Sequence, residues 1–139
     1  MELNTVMTAN PACCGRDTPL QQVAQMMVDN DCGMIPVVDQ QGMPLGVVTD
    51  RDIAVRAVSK GGSMDSCCAG DYMSAPVRTV SQDSTLADCC AAMESAQLRR
   101  MPVVDSMGRV VGIVAQADIA LNGSADKTAE VVQEISRPC

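Results

Sequence analysis

Apolar residues recur along the chain at two spacings. In two stretches they fall at helical intervals: Leu20, Val23, Ala24 and Met27 in the first, Leu86, Cys89, Cys90 and Met93 in the second. Each stretch predicts an amphipathic helix, with Thr18 and Ser84 as its N-cap. After each helix come two β-rich runs, IPVVD and LGVVT in the first half, MPVVD and VVGIVA in the second. Between the runs, QQGMP and SMGR carry the polar and glycine residues of a hairpin turn. A second helix is predicted from about Asp50 to Val58 and from about Gln116 to Leu121. With a short extended segment after the proline that opens each half, the unit reads β-α-β-β-α.

The two halves are one unit written twice. The offset that carries Met7 onto Met73 also carries Asp17 onto Asp83, Leu20 onto Leu86 and Met27 onto Met93. It lays Pro36-Val37-Val38-Asp39 on Pro102-Val103-Val104-Asp105, Gly42 on Gly108, and Asp52-Ile53-Ala54 on Asp118-Ile119-Ala120. The expected division is a first repeat over 1–58, a linker over 59–71, a second repeat over 72–122 and a tail over 123–139. Neither repeat is large enough to bury both faces of a three-stranded sheet, so the two are expected to pack about an approximate twofold axis in a mixed α/β (α+β) fold. The tail, SADKTAEVVQEISR, predicts a closing helix with Ser124 as cap. Its apolar stripe, Ala125, Ala129, Val132 and Ile135, would cover the domain or bind a second subunit.

Composition narrows the function. With 139 residues, 47% of them hydrophobic, the chain can build a core. It contains no apolar run near the roughly 18 residues of a membrane span. Its start, MELNTVMTANPACCG, lacks the features of a secretory signal, so a cytoplasmic protein with no membrane partner is expected. A net charge of −7, one tyrosine and no Phe or Trp argue against nucleic acid, which needs cations for its phosphates and rings for its bases. The arginines Arg51, Arg56, Arg99 and Arg100 nevertheless gather around one repeated turn and leave room for a local anion site. Eight cysteines stand as three adjacent pairs plus Cys32 and Cys139, with no CxxC and no histidine. Zinc sites normally use closely spaced ligand pairs, so no metal site is expected. Cys89 and Cys90 sit on a helical stripe as small hydrophobes. Cys67 and Cys68, in the glycine-bearing linker, are the candidates for metal or redox chemistry. No catalytic motif is apparent, neither a nucleophile elbow nor GxxxxGK[ST], and no enzyme is expected.

The repeated turn reads GVVTDRD from Gly46 to Asp52 and GIVAQAD from Gly112 to Asp118. A strand must end there and a helix begin, which exposes amide groups to an anion. A carboxylate at that point can accept hydrogen bonds from two vicinal hydroxyls. Capping is the competing account of Thr49 and Asp52, since a hydroxyl and an acid three residues apart make a capping box. In the second copy the hydroxyl has become Ala115 while Asp118 stays, which capping alone does not predict.

With its paired VVD-glycine turns and Gly-x-x-(Thr)-x-x-Asp junctions at the ends of matching units, the chain resembles the cystathionine β-synthase (CBS) domain family, in its stand-alone tandem form, the Bateman module. The likeness covers about residues 3 to 122. It implies a regulatory protein whose clefts bind AMP, ADP, ATP or S-adenosylmethionine, with no cofactor required, a homodimer, and an effector protein that reads the bound state. It implies that Asp52 and Asp118 accept ribose hydroxyls and that Thr49, Arg99 and Arg100 meet phosphate. Gly33 and Met34 occupy the places equivalent to the two arginines. Lacking aromatic partners, the base would slot between Met34, Met101, Val47 and Ile113. The loss of the hydroxyl at Ala115 makes the two clefts unequal. The alternatives are a structural or interaction module without ligand, and a cysteine-based metal or redox sensor.

Overall fold

The computed structural model describes residues 2–61, 63–122 and 125–137. In chain order it runs from a 3-10 turn (Leu3–Thr5) through β1 (Thr8–Ala9), α1 (Leu20–Asn30), β2 (Met34–Val38) and β3 (Pro44–Thr49) to a short helix at Asp52–Ala57. Then follow α2 (Ala69–Tyr72), β4 (Val80–Ser81), α3 (Leu86–Ala96), β5 (Arg100–Val104), β6 (Val110–Ala115), α4 (Gln116–Asn122) and α5 (Ala125–Ile135). The fold is α+β. Among the described residues no helix is long and apolar enough to cross a membrane.

The chain forms two compact units, one built from the residues up to Asn10 together with those from Arg78 onward, the other from Pro11–Val77. These cuts differ from divisions at 58, 71 and 122. The cause is edge pairing, because each β-hairpin leaves a strand edge that needs hydrogen-bond partners. In the unit that holds the second repeat, β1 supplies them, with Thr8 opposite Ile113 and Ala9 opposite Gly112. In the other, Ser74 pairs with Val47. The stretch expected as a linker therefore belongs to the Pro11–Val77 unit. It is zipped onto residues 16–20 by Leu20 N–H to Cys67 O at 2.8 Å, Ala69 N–H to Thr18 O at 2.8 Å and Gly70 N–H to Arg16 O at 2.9 Å.

Both hairpins share one design. In β2–β3, Met34 lies opposite Thr49, Ile35 opposite Val48 and Pro36 opposite Val47. In β5–β6, Arg100 lies opposite Ala115, Met101 opposite Val114 and Pro102 opposite Ile113. Opposed residues share a face of the sheet. Ile35, Val37 and Val48 enter the core of one unit; Met101, Val103 and Val114 enter that of the other. The VVD aspartates build the turns: Asp39 Oδ1 accepts from Gln41 N–H and Met43 N–H, and Asp105 Oδ1 from Met107 N–H and Arg109 N–H, each at 2.9 Å. Gly42 and Gly108 both turn at φ +85°, a conformation that a side chain disfavours.

The predicted helices form, with shifts in their details. Leu20, Val23 and Met27 of α1 are buried, as are Leu86, Cys89, Cys90 and Met93 of α3. The caps lie one residue later than Thr18 and Ser84. Thr85 caps α3 in a reciprocal box with Asp88, whereas Pro19 starts α1 without a side-chain cap. Thr18 Oγ1 instead accepts from Gly15 N–H at 3.0 Å, inside the preceding turn. The helix expected from Asp50 is widened, its hydrogen bonding reaching from Val58 N–H back to Ile53 O at 3.1 Å. In α5 the buried residues are Val131 and Ile135, while Val132 is 37% exposed and Ala125 and Ala129 are exposed. Lys127, which reaches Glu94 of α3 at 3.3 Å, is part of the inward face. Ser124 lies outside the described residues.

Candidate functional site

At the end of β3 the chain turns into the short helix within a reciprocal pair of bonds. Thr49 N–H donates to Asp52 Oδ2 at 2.9 Å, and Asp52 N–H donates to Thr49 Oγ1 at 3.1 Å. Asp50 N–H donates to Gly33 O at 2.9 Å, tying the junction to the start of β2. Asp52 is only 7% exposed. A buried carboxylate is tolerated when donors surround it, and two further side chains supply them. Ser74 Oγ lies 3.2 Å from Oδ1 and 3.3 Å from Oδ2, and Arg56 Nη1 lies 3.6 Å from Oδ1. Arg56 also donates to Tyr72 O at 3.1 Å.

The second junction keeps half of this arrangement. Ala115 N–H donates to Asp118 Oδ2 at 2.8 Å, and Gln116 N–H to Arg99 O at 2.8 Å. The Ala115 methyl cannot accept from the backbone at position 118, so the other half of the box is gone. Capping therefore does account for the persistence of Asp118, because its carboxylate still holds the amide of residue 115. Asp118 is half-buried. Thr8 and Asn122 stand at the places of Ser74 and Arg56; Asn122 Nδ2 donates to the backbone carbonyl of Asp118, not to its side chain.

The strand register sorts the other candidates. Met34, Val47 and Thr49 share one face of their hairpin, with Met34 buried and the other two half-buried. Arg100 and Ile113, both half-buried, share the corresponding face of the second hairpin. Met101 does not join them. It is 1% exposed and packed on the opposite face among Leu86, Met93 and Val114, so its thioether is not available to a base. Strand alternation held that signal, since Met101 is the counterpart of Ile35, not of Met34. Arg99 precedes β5 and is exposed, as is Arg51. Sequence reasoning missed Ser74 and did not connect Arg56 with Asp52, although Ser74 repeats Thr8 and Arg56 follows Asp52 at helical i,i+4 spacing.

The hollow of about 850 Å³ in the Pro11–Val77 unit lies elsewhere. It is lined by Cys13 to Pro19, Val38 and Gln40, at the far end of the hairpin from Thr49. Burial pushes the Cys89 thiol up to about 12 and the Cys14 thiol up to about 11, in each case with a smaller contribution from the adjacent cysteine. Cys67 Sγ lies 3.9 Å from the Tyr72 hydroxyl. Among the described residues no three His, Cys, Asp or Glu side chains are gathered where they could hold a metal ion.

The CBS domain family matches residues 3–58 and 69–122 of the chain. Hypoxic response protein 1 of Mycobacterium tuberculosis is 31% identical over 133 residues, which span 96% of this chain and 92% of that protein. Uncharacterized protein MK0525 of Methanopyrus kandleri is 35% identical over 98 residues, 70% of this chain; the match spans half the length of that relative. The crystal structure of Hypoxic Response Protein I, which holds two coordinated zinc ions, superposes with a TM-score of 0.80 at 30% identity, covering 89% of this chain and all of that one. The same fold is found in the CBS domain pair of protein MJ0100 in complex with 5-methylthioadenosine and S-adenosyl-L-methionine (TM-score 0.78, 24% identity, 87% and 98% covered). It is found again in CBS domain protein PAE2072 from Pyrobaculum aerophilum complexed with AMP (TM-score 0.79, 21% identity, 96% and 99% covered).

Proposed function

The chain belongs to the CBS domain family, and we propose that it is a regulatory, non-catalytic module that binds an adenosine-containing ligand at a strand-to-helix junction. The observation that carries this reading is the recurrence, in both units, of an aspartate folded back onto the amide that ends the strand. Such an acid is fixed in orientation by one oxygen, and a sugar diol is the kind of group that a fixed carboxylate grips through charge-assisted bonds. Support comes from proteins of the same fold that hold AMP or S-adenosyl-L-methionine.

The remaining groups fit a nucleotide. Thr49 Oγ1 accepts from the Asp52 amide and keeps its own proton to donate to a phosphate. At the second junction Arg99 and Arg100 offer charge for a phosphate and Ile113 offers apolar surface for a base; at the first, Met34 and Val47 offer that surface. The module works in the cytoplasm as a homodimer and transmits the bound state to an effector protein. The test is a thermal-shift panel with AMP, ADP, ATP and S-adenosylmethionine. A ligand at about 100 times its Kd should add about 2.7 kcal/mol of stability. An unchanged melting temperature with all four compounds refutes the reading.

A further inference from the structure

We propose that the two junctions have divided their labour: Asp118 alone takes the ligand's diol, while Asp52 serves as a clasp that holds the segment Tyr72–Ser74 against the edge of β3. The inference rests on the adenosine-ligand reading and assigns its site to one half of the repeat.

The two carboxylates differ in what already surrounds them. Asp52 Oδ2 takes the Thr49 amide, Ser74 Oγ lies within 3.3 Å of both oxygens, and Arg56 Nη1 faces Oδ1. A vicinal diol needs two acceptor positions that nothing else occupies. At Asp52 it would have to displace a hydroxyl and a guanidinium from a side chain that is 7% exposed. Those same groups anchor the edge segment: Arg56 bonds Tyr72 O, and Ser74 exchanges two backbone bonds with Val47, at 2.8 and 3.1 Å. Opening Asp52 to a ligand therefore loosens the pairing that completes the sheet.

Asp118 is built otherwise. One oxygen takes the Ala115 amide, and among the described residues no side chain donates to the carboxylate. The sequence explains the difference at three positions. Thr8 replaces Ser74 and makes no bond to Asp118, Asn122 replaces Arg56 and turns to the backbone, and Arg100 replaces Met34 across from the residue that ends the strand. The junction with the accessible carboxylate is thus also the one with a guanidinium on its face. That pairing of groups suits an adenosine ligand that carries a phosphate.

The test is calorimetric titration of the whole chain with AMP, with thermal melts run in parallel, on wild type, Asp118→Ala, Asp52→Asn and Ser74→Ala. The expected result is about one AMP per chain, weakened at least about tenfold by Asp118→Ala with little change in melting temperature. Ser74→Ala should lower the melting temperature by several degrees and leave the AMP affinity within about threefold, and Asp52→Asn should lower the melting temperature by a similar amount. Two AMP per chain, or binding lost in Asp52→Asn and kept in Asp118→Ala, overturns the division of labour while leaving the nucleotide reading intact. No heat from wild type with AMP or S-adenosylmethionine overturns that reading and the Asp118 assignment with it. The melts then still judge the clasp, which unchanged melting temperatures in both Asp52→Asn and Ser74→Ala overturn.

Discussion

Alanine at position 46 tests the reason that the repeated turn opens on glycine. An added Cβ would stand 2.8 Å from Met73 Sδ, 3.0 Å from Met73 Cγ and 2.8 Å from the Ser74 carbonyl oxygen. The thioether can swing aside, but the carbonyl cannot, because it accepts from Val47 N–H at 3.1 Å while Ser74 N–H donates to Val47 O at 2.8 Å. Relief requires lifting residues 73 and 74 off β3. Two backbone bonds at about 0.5–1.5 kcal/mol each, plus the lost packing of Met73, put the cost at about 2–4 kcal/mol. Gly112 meets a different obstacle, since the three nearest atoms there all belong to the Met7 side chain. Urea unfolding of the single and double variants separates the two cases. Met7→Ala should rescue Gly112→Ala with a coupling of at least about 1 kcal/mol, whereas Met73→Ala should leave most of the Gly46→Ala loss in place. If Gly46→Ala stays within about 0.5 kcal/mol of wild type, or if Met73→Ala restores it completely, the close approach of the Ser74 carbonyl is not what selects glycine.

Two further outcomes follow from local geometry and burial. Thr85→Ala removes the acceptor that caps α3 and should cost about 1 kcal/mol in urea unfolding, while Ser84→Ala should stay within about 0.5 kcal/mol of wild type. Cys89 has its folded-state pKa raised from 9.0 to about 12 by burial, so folding favours the neutral thiol. Its contribution to stability is complete below pH 9.0 and is lost as pH rises from there toward 12, and it should resist alkylation at pH 8 until the chain unfolds. Rapid labelling of Cys89 in the native protein, followed by mass spectrometry, would contradict that burial.

The sequence by itself determined the elements and their duplication, because helical and alternating spacing, turn glycines and the VVD aspartates all act over a few residues. Leu20, Val23 and Met27 are legible as one face of a helix without knowing what they pack on. The order of the repeated turn was legible for the same reason, and so was the family resemblance. Tertiary structure decided what spacing cannot encode: which residues distant in the chain are brought to each junction. The first ten residues complete the sheet of the second repeat, and residues after α2 complete that of the first, because a hairpin edge needs backbone partners wherever they come from. Ser74 reaches Asp52 only through that pairing, so nothing local marked it. Met101 and Val132 were misread on a smaller scale, each by one position on its strand or helix, Val131 being the buried valine. The face that an element buries is fixed by its neighbours, with Lys127 meeting Glu94 in one case and the β5–β6 register setting the other. The difference between Asp52 and Asp118 has both origins: Thr49 and Arg56 are local and become Ala115 and Asn122 in the second copy, whereas Ser74 reaches its carboxylate only through the edge pairing.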